Sequence, residues 1–512
     1  MTTRRIHKLN ANDTMALVAR LTCVSLAGLL LLSVAMSCYS KDSVNKQGER
    51  QKDPRPNILL VMLDDMGEEW VSAYGSQSIT TPGIDRLAGE GVRFDNAWSN
   101  PQCTPTRVTL LTGQYPFRHG WVNHWDVPRW GHGYFDWELN PSIGRVMQSA
   151  GYETAAAGKW QINDFRVEPE AMAKHGFEHY AMWTGWEEGN PPSAERYWNP
   201  YIHTESGSKT YQGAFGTDVF VNFLTGFISD NQDRPWFAYF AAALPHPPYV
   251  TTPAKPDAGS DEERYIAMVE YADDAIARLT DHIDALGLAE ETLIIVTSDN
   301  GSPKKLTARV NGRPIKGGKT YTSENGIAVP LVTRWKGRRE GLVSQALVDF
   351  TDFMPTLAEL AGAALPGDHV VDGVSFASVL DNGDMDGSRE WSMAMGGRNE
   401  AAVSEVGVEN KFVFRDRVMR DRRYKLYLAA TPELEAEKFF DLQTDPYETR
   451  NLLGAMDTRA AASLKRLMAQ AGQFPKRDSD PKYRRREALP WDLPVTVKSQ
   501  EWKLIGAQAQ ED

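Results

Sequence analysis

Two short apolar runs that end alike restrict the fold of this chain more than any other feature. Asn57-Ile58-Leu59-Leu60-Val61-Met62-Leu63 stops at Asp64-Asp65-Met66-Gly67, and Thr292-Leu293-Ile294-Ile295-Val296-Thr297 stops at Ser298-Asp299-Asn300-Gly301. Neither run alternates apolar with polar residues, so each reads as a strand buried on both faces of a parallel sheet. Their carboxyl ends deliver Asp64, Asp65, Asp299 and Asn300 to the edge where open α/β sheets place their ligands. Three carboxylates and one amide suit a hard divalent ion such as calcium, because buried carboxylates without counter-charge are costly. Taken singly, either segment is also a strand ending in a turn, since Asp and Gly are common turn residues.

A helix feeds the second strand. Ser260-Asp261-Glu262-Glu263 has the form of a capping box, and Ile266, Val269, Ala272, Ile276, Leu279, Ile283 and Leu286 follow at three- and four-residue steps up to Gly287. Helix followed by buried strand predicts an α/β fold with a large, mostly parallel or mixed sheet flanked by helices. The 512 residues suit two or three domains at about 150 residues each. Past residue 383 the pattern changes to short strands at Lys411–Phe414, Tyr424–Leu428 and Lys438–Leu442, with a covering helix around Arg459–Ala471. That predicts a smaller antiparallel-sheet subdomain over residues 384–512, behind a main domain of residues 56–383.

The first 37 residues read as an export signal: a basic stretch ending at Arg20, an uncharged run Leu21–Met36, then small residues at Ser37-Cys38. The sixteen uncharged residues fall short of the ~20 needed to span a bilayer. Val34-Ala35-Met36-Ser37-Cys38 is similar to a bacterial lipobox, which makes Cys38 a candidate lipid anchor, and residues 38–55 form a polar tether. The expected location is the periplasm or the outer membrane as a lipoprotein, with secretion as the alternative. The net charge is −12, and the export segment contributes +3 of opposite sign, so the folded remainder carries −15. A surface that acidic argues against nucleic acid as a partner.

With Cys23 and Cys38 in or at the export segment, Cys103 is the one thiol of the folded body. Cys103-Thr104-Pro105-Thr106-Arg107-Val108-Thr109-Leu110-Leu111-Thr112-Gly113 places it at the start of a short helix, with Pro105 near the first position and Gly113 past the end. Backbone N–H donors and the positive helix end favour an anion there. Arg107, one turn on, is positioned to point back at the same anion.

This segment resembles the signature of the type I sulfatases, of the alkaline phosphatase superfamily, in which the Cys of Cys-X-Pro-X-Arg is oxidised to formylglycine. The resemblance extends to Pro56–Gly67, Thr81–Ala88, Gly158-Lys159-Trp160, Pro245-His246-Pro247-Pro248, Thr297–Gly301, Gly317-Gly318-Lys319 and Phe440–Glu448. It implies calcium held by Asp64, Asp65, Asp299 and Asn300 together with residue 103. It also implies a nucleophile made from Cys103 by a formylglycine-generating maturation enzyme, and Arg107, Lys159, His246 and Lys319 around the sulfate and the leaving oxygen. His246 is the expected proton donor to the departing alcohol. Three positions depart from the family pattern: Gln161 stands where a His is usual, Thr106 where Ser or Ala is usual, and Ala328 where Arg is common.

The implied activity is sulfate ester hydrolysis, with a sulfated small molecule or polysaccharide as substrate. The alternatives are a phosphonate or phosphate ester hydrolase of the same superfamily, and a non-catalytic binder of sulfated glycans suggested by Gln161. Two aromatic groups, Trp121–Trp137 and Trp183–Tyr201, read equally as sugar-stacking platforms or as ordinary packing.

Overall fold

The computed structural model describes residues 53–122, 135–163, 165, 168–183, 196–381, 383–396, 402–404, 407–409, 416–430, 433–479 and 481–484. The export segment, Cys38, nearly all of the tether and the strand expected at Lys411–Phe414 lie outside them. Ten strands form the main sheet: β1 (Asn57–Leu63), β2 (Val92–Phe94), β3 (Glu153–Lys159), β4 (His179–Trp183), β5 (Tyr201–Thr204), β6 (Gly207–Thr210), β7 (Trp236–Ala241), β8 (Thr292–Ser298), β9 (Leu331–Trp335) and β10 (Leu342–Ser344). Their spatial order is β10-β2-β9-β8-β1-β7-β3-β4-β5-β6. The central strands β8, β1, β7, β3 and β4 are mutually parallel, while β9 and the β5–β6 hairpin run antiparallel to their neighbours. The sheet is therefore mixed, with a parallel heart.

Every residue of β1 and of β8 is buried. Successive side chains enter opposite cores, which is why neither strand alternates in polarity. Ile58, Leu60 and Met62 join Leu293 and Ile295 on one face, against Val108, Leu110 and Leu111 of helix α1 (Cys103–Thr112). Leu59, Val61 and Leu63 join Ile294 and Val296 on the other, with Phe220 and Leu224 of α2 (Gly216–Asp230) and Ala272, Ile276, Leu279 and Ile283 of α3 (Asp261–Ala285). Each such aliphatic side chain contributes about 1.5–3 kcal/mol when fully buried. The expected capping box is present in α3, where Glu263 N donates to Ser260 Oγ and the Glu263 carboxylate accepts from Ser260 N. Its buried stripe lies one position off the sequence reading at its start: Tyr265 and Met268 are buried, Ile266 only half so.

The second sheet is antiparallel, as expected: β11 (Ser392–Met395), β12 (Arg417–Arg420), β13 (Tyr424–Leu428) and β14 (Ala436–Asp441). Helix α4 (Thr458–Ala471) covers it through Ala460, Leu467 and Ala471. The two sheets belong to one compact unit. A buried ion cluster ties them: Lys425 Nζ lies 2.8 Å from Glu324 Oε1 and 2.9 Å from Glu448 Oε1. None of the described helices is long and apolar enough to cross a membrane.

Candidate active site

The parallel register of β1 with β8 pairs Leu63 with Ser298, so residues 64–65 and 299–300 leave the sheet side by side. Asp299 N donates to Leu63 O (3.0 Å), and Asp65 N donates to Asp299 Oδ1 (3.1 Å). Asp64, Asp65, Asp299 and Asn300 are all fully buried. Carboxylate oxygens of Asp64, Asp65 and Asp299 lie within 4.8 Å of one another, and so do ligand atoms of Asp64, Cys103 and His246. Residue 103 is thus next to the acidic cluster, as the sequence reading requires.

Helix α1 brings Cys103 there as its first residue, buried at 6% exposure. The helix ends on Gly113 at φ 66°, a left-handed geometry that suits a residue without Cβ. Thr106 ties down the start of the helix: its Oγ1 donates to Gln102 O (2.9 Å) and accepts from Asn100 N (3.1 Å). Arg107, expected to face an anion at the helix start, is engaged by the acidic cluster. Its guanidinium, 1% exposed, donates to Asp299 Oδ2 (2.8 Å) and Lys159 O (3.1 Å) and lies 3.6 Å from Asp64 Oδ2. Unpaired carboxylates at this depth are the stronger claim on a buried cation.

Lys159 ends β3, and its Nζ donates to Asp64 Oδ2 at 2.6 Å. Gly158 allows that approach, because a Cβ there would stand 1.9 Å from Ala241 O, at φ 104°. Lys319 reaches both Asp65 oxygens (2.6 and 2.7 Å). His246, on the loop after β7, has Nδ1 2.9 Å from Arg196 and 2.5 Å from Pro247 O, while Nε2 faces Asp65 Oδ2 at 3.7 Å. Gln161 donates from Nε2 to Cys103 Sγ at 3.5 Å, and its Oε1 is buried without a partner. Asp65, Gln161 and Thr320 all hold positive φ (67°, 74° and 78°), a concentration of left-handed non-glycine backbone around one site.

The electrostatics follow from burial and crowding. Burial opposes the Asp64 charge, but Lys159, His246 and Arg107 hold its carboxyl well below the ordinary carboxylate range. Burial, then the neighbouring Asp64 charge, pushes Asp299 up to about 7. Arg107 and Lys319 are held above their ordinary ranges by Asp299 and by Asp65 respectively, against the cost of burial. Burial, then Lys159, drives His246 well below the usual histidine value. Asp64 Oδ1 and Asn300 Oδ1 are buried with no hydrogen-bond partner. Two orphaned oxygens within a set of three carboxylates and one amide fit a hard, oxygen-seeking divalent cation.

All of the expected residues converge here. Sequence reasoning missed Arg196, which is 4% exposed, stacks at 4.3 Å on Trp183 and fixes the His246 ring. It also missed Tyr197 and Tyr265, whose hydroxyls donate to His246 O (2.5 Å) and Asp65 O (3.0 Å). Arg196 lies inside the second aromatic group, so an arginine among aromatics was the available signal. Trp121 and Phe135, both fully buried, pack edge to face at 5.6 Å, so for these two the packing reading holds. Trp125, Trp130, Tyr134 and Trp186 lie outside the described residues. Ala328 packs in a small cluster with Trp98 and Ile327.

A profile of the Sulfatase family matches residues 56–363, and one described as N-sulphoglucosamine sulphohydrolase, C-terminal, matches residues 318–473. An arylsulfatase of Hemicentrotus pulcherrimus is 30% identical over 345 residues, 64% of this chain and 62% of that protein. The chain thus spans less than two thirds of that relative. An ulvan-active sulfatase of Formosa agariphila is 27% identical over 499 residues, 91% of either chain. Among solved structures, Ps i-CgsB superposes with a TM-score of 0.69 at 22% identity, covering 88% of this chain and 97% of that one.

Proposed function

The chain belongs to the sulfatase family of sulfuric ester hydrolases, and we propose that it releases sulfate from a sulfated carbohydrate, with residue 103 as nucleophile. The observation that carries this reading is the meeting of Cys103, Asp64 and His246 inside 4.8 Å, where Arg107, Lys159 and Lys319 also converge. The 27% identity to an ulvan-active sulfatase along 91% of both chains supports a polysaccharide sulfate as substrate.

In this reading Cys103 is converted to formylglycine by a maturation enzyme, and calcium is held by Asp64, Asp65, Asp299, Asn300 and residue 103. A hydrated aldehyde at residue 103 would supply an oxygen nucleophile toward sulfur. The cation supplies Lewis acidity toward the sulfate oxygens. The remaining work falls to this chain's side chains. Three buried carboxylates already face three cations, Arg107, Lys159 and Lys319, so a divalent ion leaves the site two positive charges in excess. That excess complements the charge that builds on the sulfuryl group, and charges fixed before the reaction cost no reorganisation. Lys319 and the Nε2 edge of His246 both face Asp65, and in this reading they would serve the oxygen that leaves with the alcohol. Gln161, already on Sγ, steadies the nucleophile through a neutral amide where relatives of the signature carry His.

Turnover of 4-nitrophenyl sulfate by protein co-produced with a formylglycine-generating enzyme tests the reading. Activity should fall by about 10³-fold or more in Cys103→Ala, and a matched phosphate ester should turn over far more slowly. Equal activity of wild type and Cys103→Ala sinks the nucleophile assignment. We further propose export with a lipid anchor at Cys38, for which Cys38→Ser should move the protein from the membrane to the soluble fraction.

A further inference from the structure

Tyr249 follows His246 by three residues on the loop after β7, and its side chain has no role in the site as described so far. It is 6% exposed, and its hydroxyl is buried with no hydrogen-bond partner. No other buried tyrosine hydroxyl among the described residues is so left. Tyr197 donates to Ala243 O and His246 O, and Tyr265 to Asp65 O. The Tyr249 ring packs edge to face on Tyr265, with centroids 5.5 Å apart, and Lys305 Nζ stands 4.5 Å over it. The ring is therefore fixed against the residue that caps Asp65, on the loop that carries His246. The charges that act most strongly on its hydroxyl are those of Asp65 and Lys319, both in the active site. Burial, then the Asp65 carboxylate, keeps the phenol protonated, so it is a donor at every working pH.

A buried hydroxyl without a partner costs free energy unless something outside the protein accepts from it. We propose that Tyr249 is a substrate-binding residue whose hydroxyl donates a hydrogen bond to the sulfate group of the bound ester. The assignment rests on the sulfatase reading of the site. Tyr249→Phe keeps the ring and removes only the donor.

The test compares the dissociation constant of inorganic sulfate, read by calorimetric titration of the calcium-loaded full chain, with KM and kcat for 4-nitrophenyl sulfate. Tyr249→Phe should weaken sulfate about tenfold and raise KM by a similar factor, with kcat within threefold of wild type. Its Tm without sulfate should be unchanged or higher, a result that a structural hydroxyl does not give. Equal sulfate affinity in both proteins, no sulfate binding by wild type, or a Tm lowered by several degrees each overturns the assignment. A wild type that binds sulfate more tightly than Tyr249→Phe yet hydrolyses no sulfate ester overturns the hydrolase reading and leaves this one standing.

Discussion

Lys159→Met removes the counter-charge closest to a fully buried carboxylate. Lys159 Nζ lies 2.6 Å from Asp64 Oδ2, with side-chain exposures of 2% and 0%, so water screens neither partner. Taking one member from a buried pair leaves an uncompensated charge, which costs about 3–5 kcal/mol. Arg107, at 3.6 Å from the same oxygen, is already engaged at 2.8 Å with Asp299 and recovers little of it. Urea unfolding at pH 7 in chelator should therefore show Lys159→Met less stable by about 3–5 kcal/mol, while the double variant with Asp64→Asn recovers at least ~2 kcal/mol of that. Calcium should stabilise the single variant if it binds these carboxylates, by an amount that grows with the logarithm of its concentration. A loss below ~1 kcal/mol, the value of an exposed pair, refutes the argument that this site is dry and charge-balanced.

Four further outcomes follow from the same geometry. His175 is buried, its pKa lowered to about 3 by burial, so it folds neutral and its contribution is complete above its ordinary pKa of 6.5 and lost as pH falls below that. Between pH 7.5 and 5 this removes about 2 kcal/mol of unfolding free energy, and His175→Gln should flatten that part of the stability profile in urea titrations. Gly158→Ala puts a Cβ into Ala241 O at a strained φ, and should lower Tm by several degrees and displace Lys159, so that kcat/KM falls too. Gln161→Gly relieves a left-handed φ while removing the donor to residue 103; it should hold or raise Tm and lower kcat/KM about tenfold, a split that a purely structural Gln161 would not give. Asp299→Ala should cost most of the proposed turnover of 4-nitrophenyl sulfate and weaken the proposed calcium binding by calorimetry, because it removes one of three clustered carboxylates.

Much of the site could be read in the chain because its parts are local. Asp64-Asp65 and Asp299-Asn300 each sit one step past a run of residues that can only be a doubly buried strand, and Cys103 begins a helix announced by Pro105 and Gly113. Arg196 could not be read this way. It meets His246 across fifty residues, through a ring stack on Trp183 that no spacing encodes. The downward shift of His246 was equally hidden, since its ordinary pKa applies in water and its folded value depends on its burial and on which cations the fold places beside it.

By itself the sequence determined which segments become buried strands, where the capped helix starts, and which side chains stand at the strand ends, because apolar periodicity and chain stiffness act over a few residues. Tertiary structure alone decided the β1–β8 register that sets four candidate ligands side by side, the turning of Arg107 toward Asp299, and the pKa shifts that result. Those depend on distances of a few ångströms between groups up to 235 residues apart, where desolvation makes each charge choose its partner.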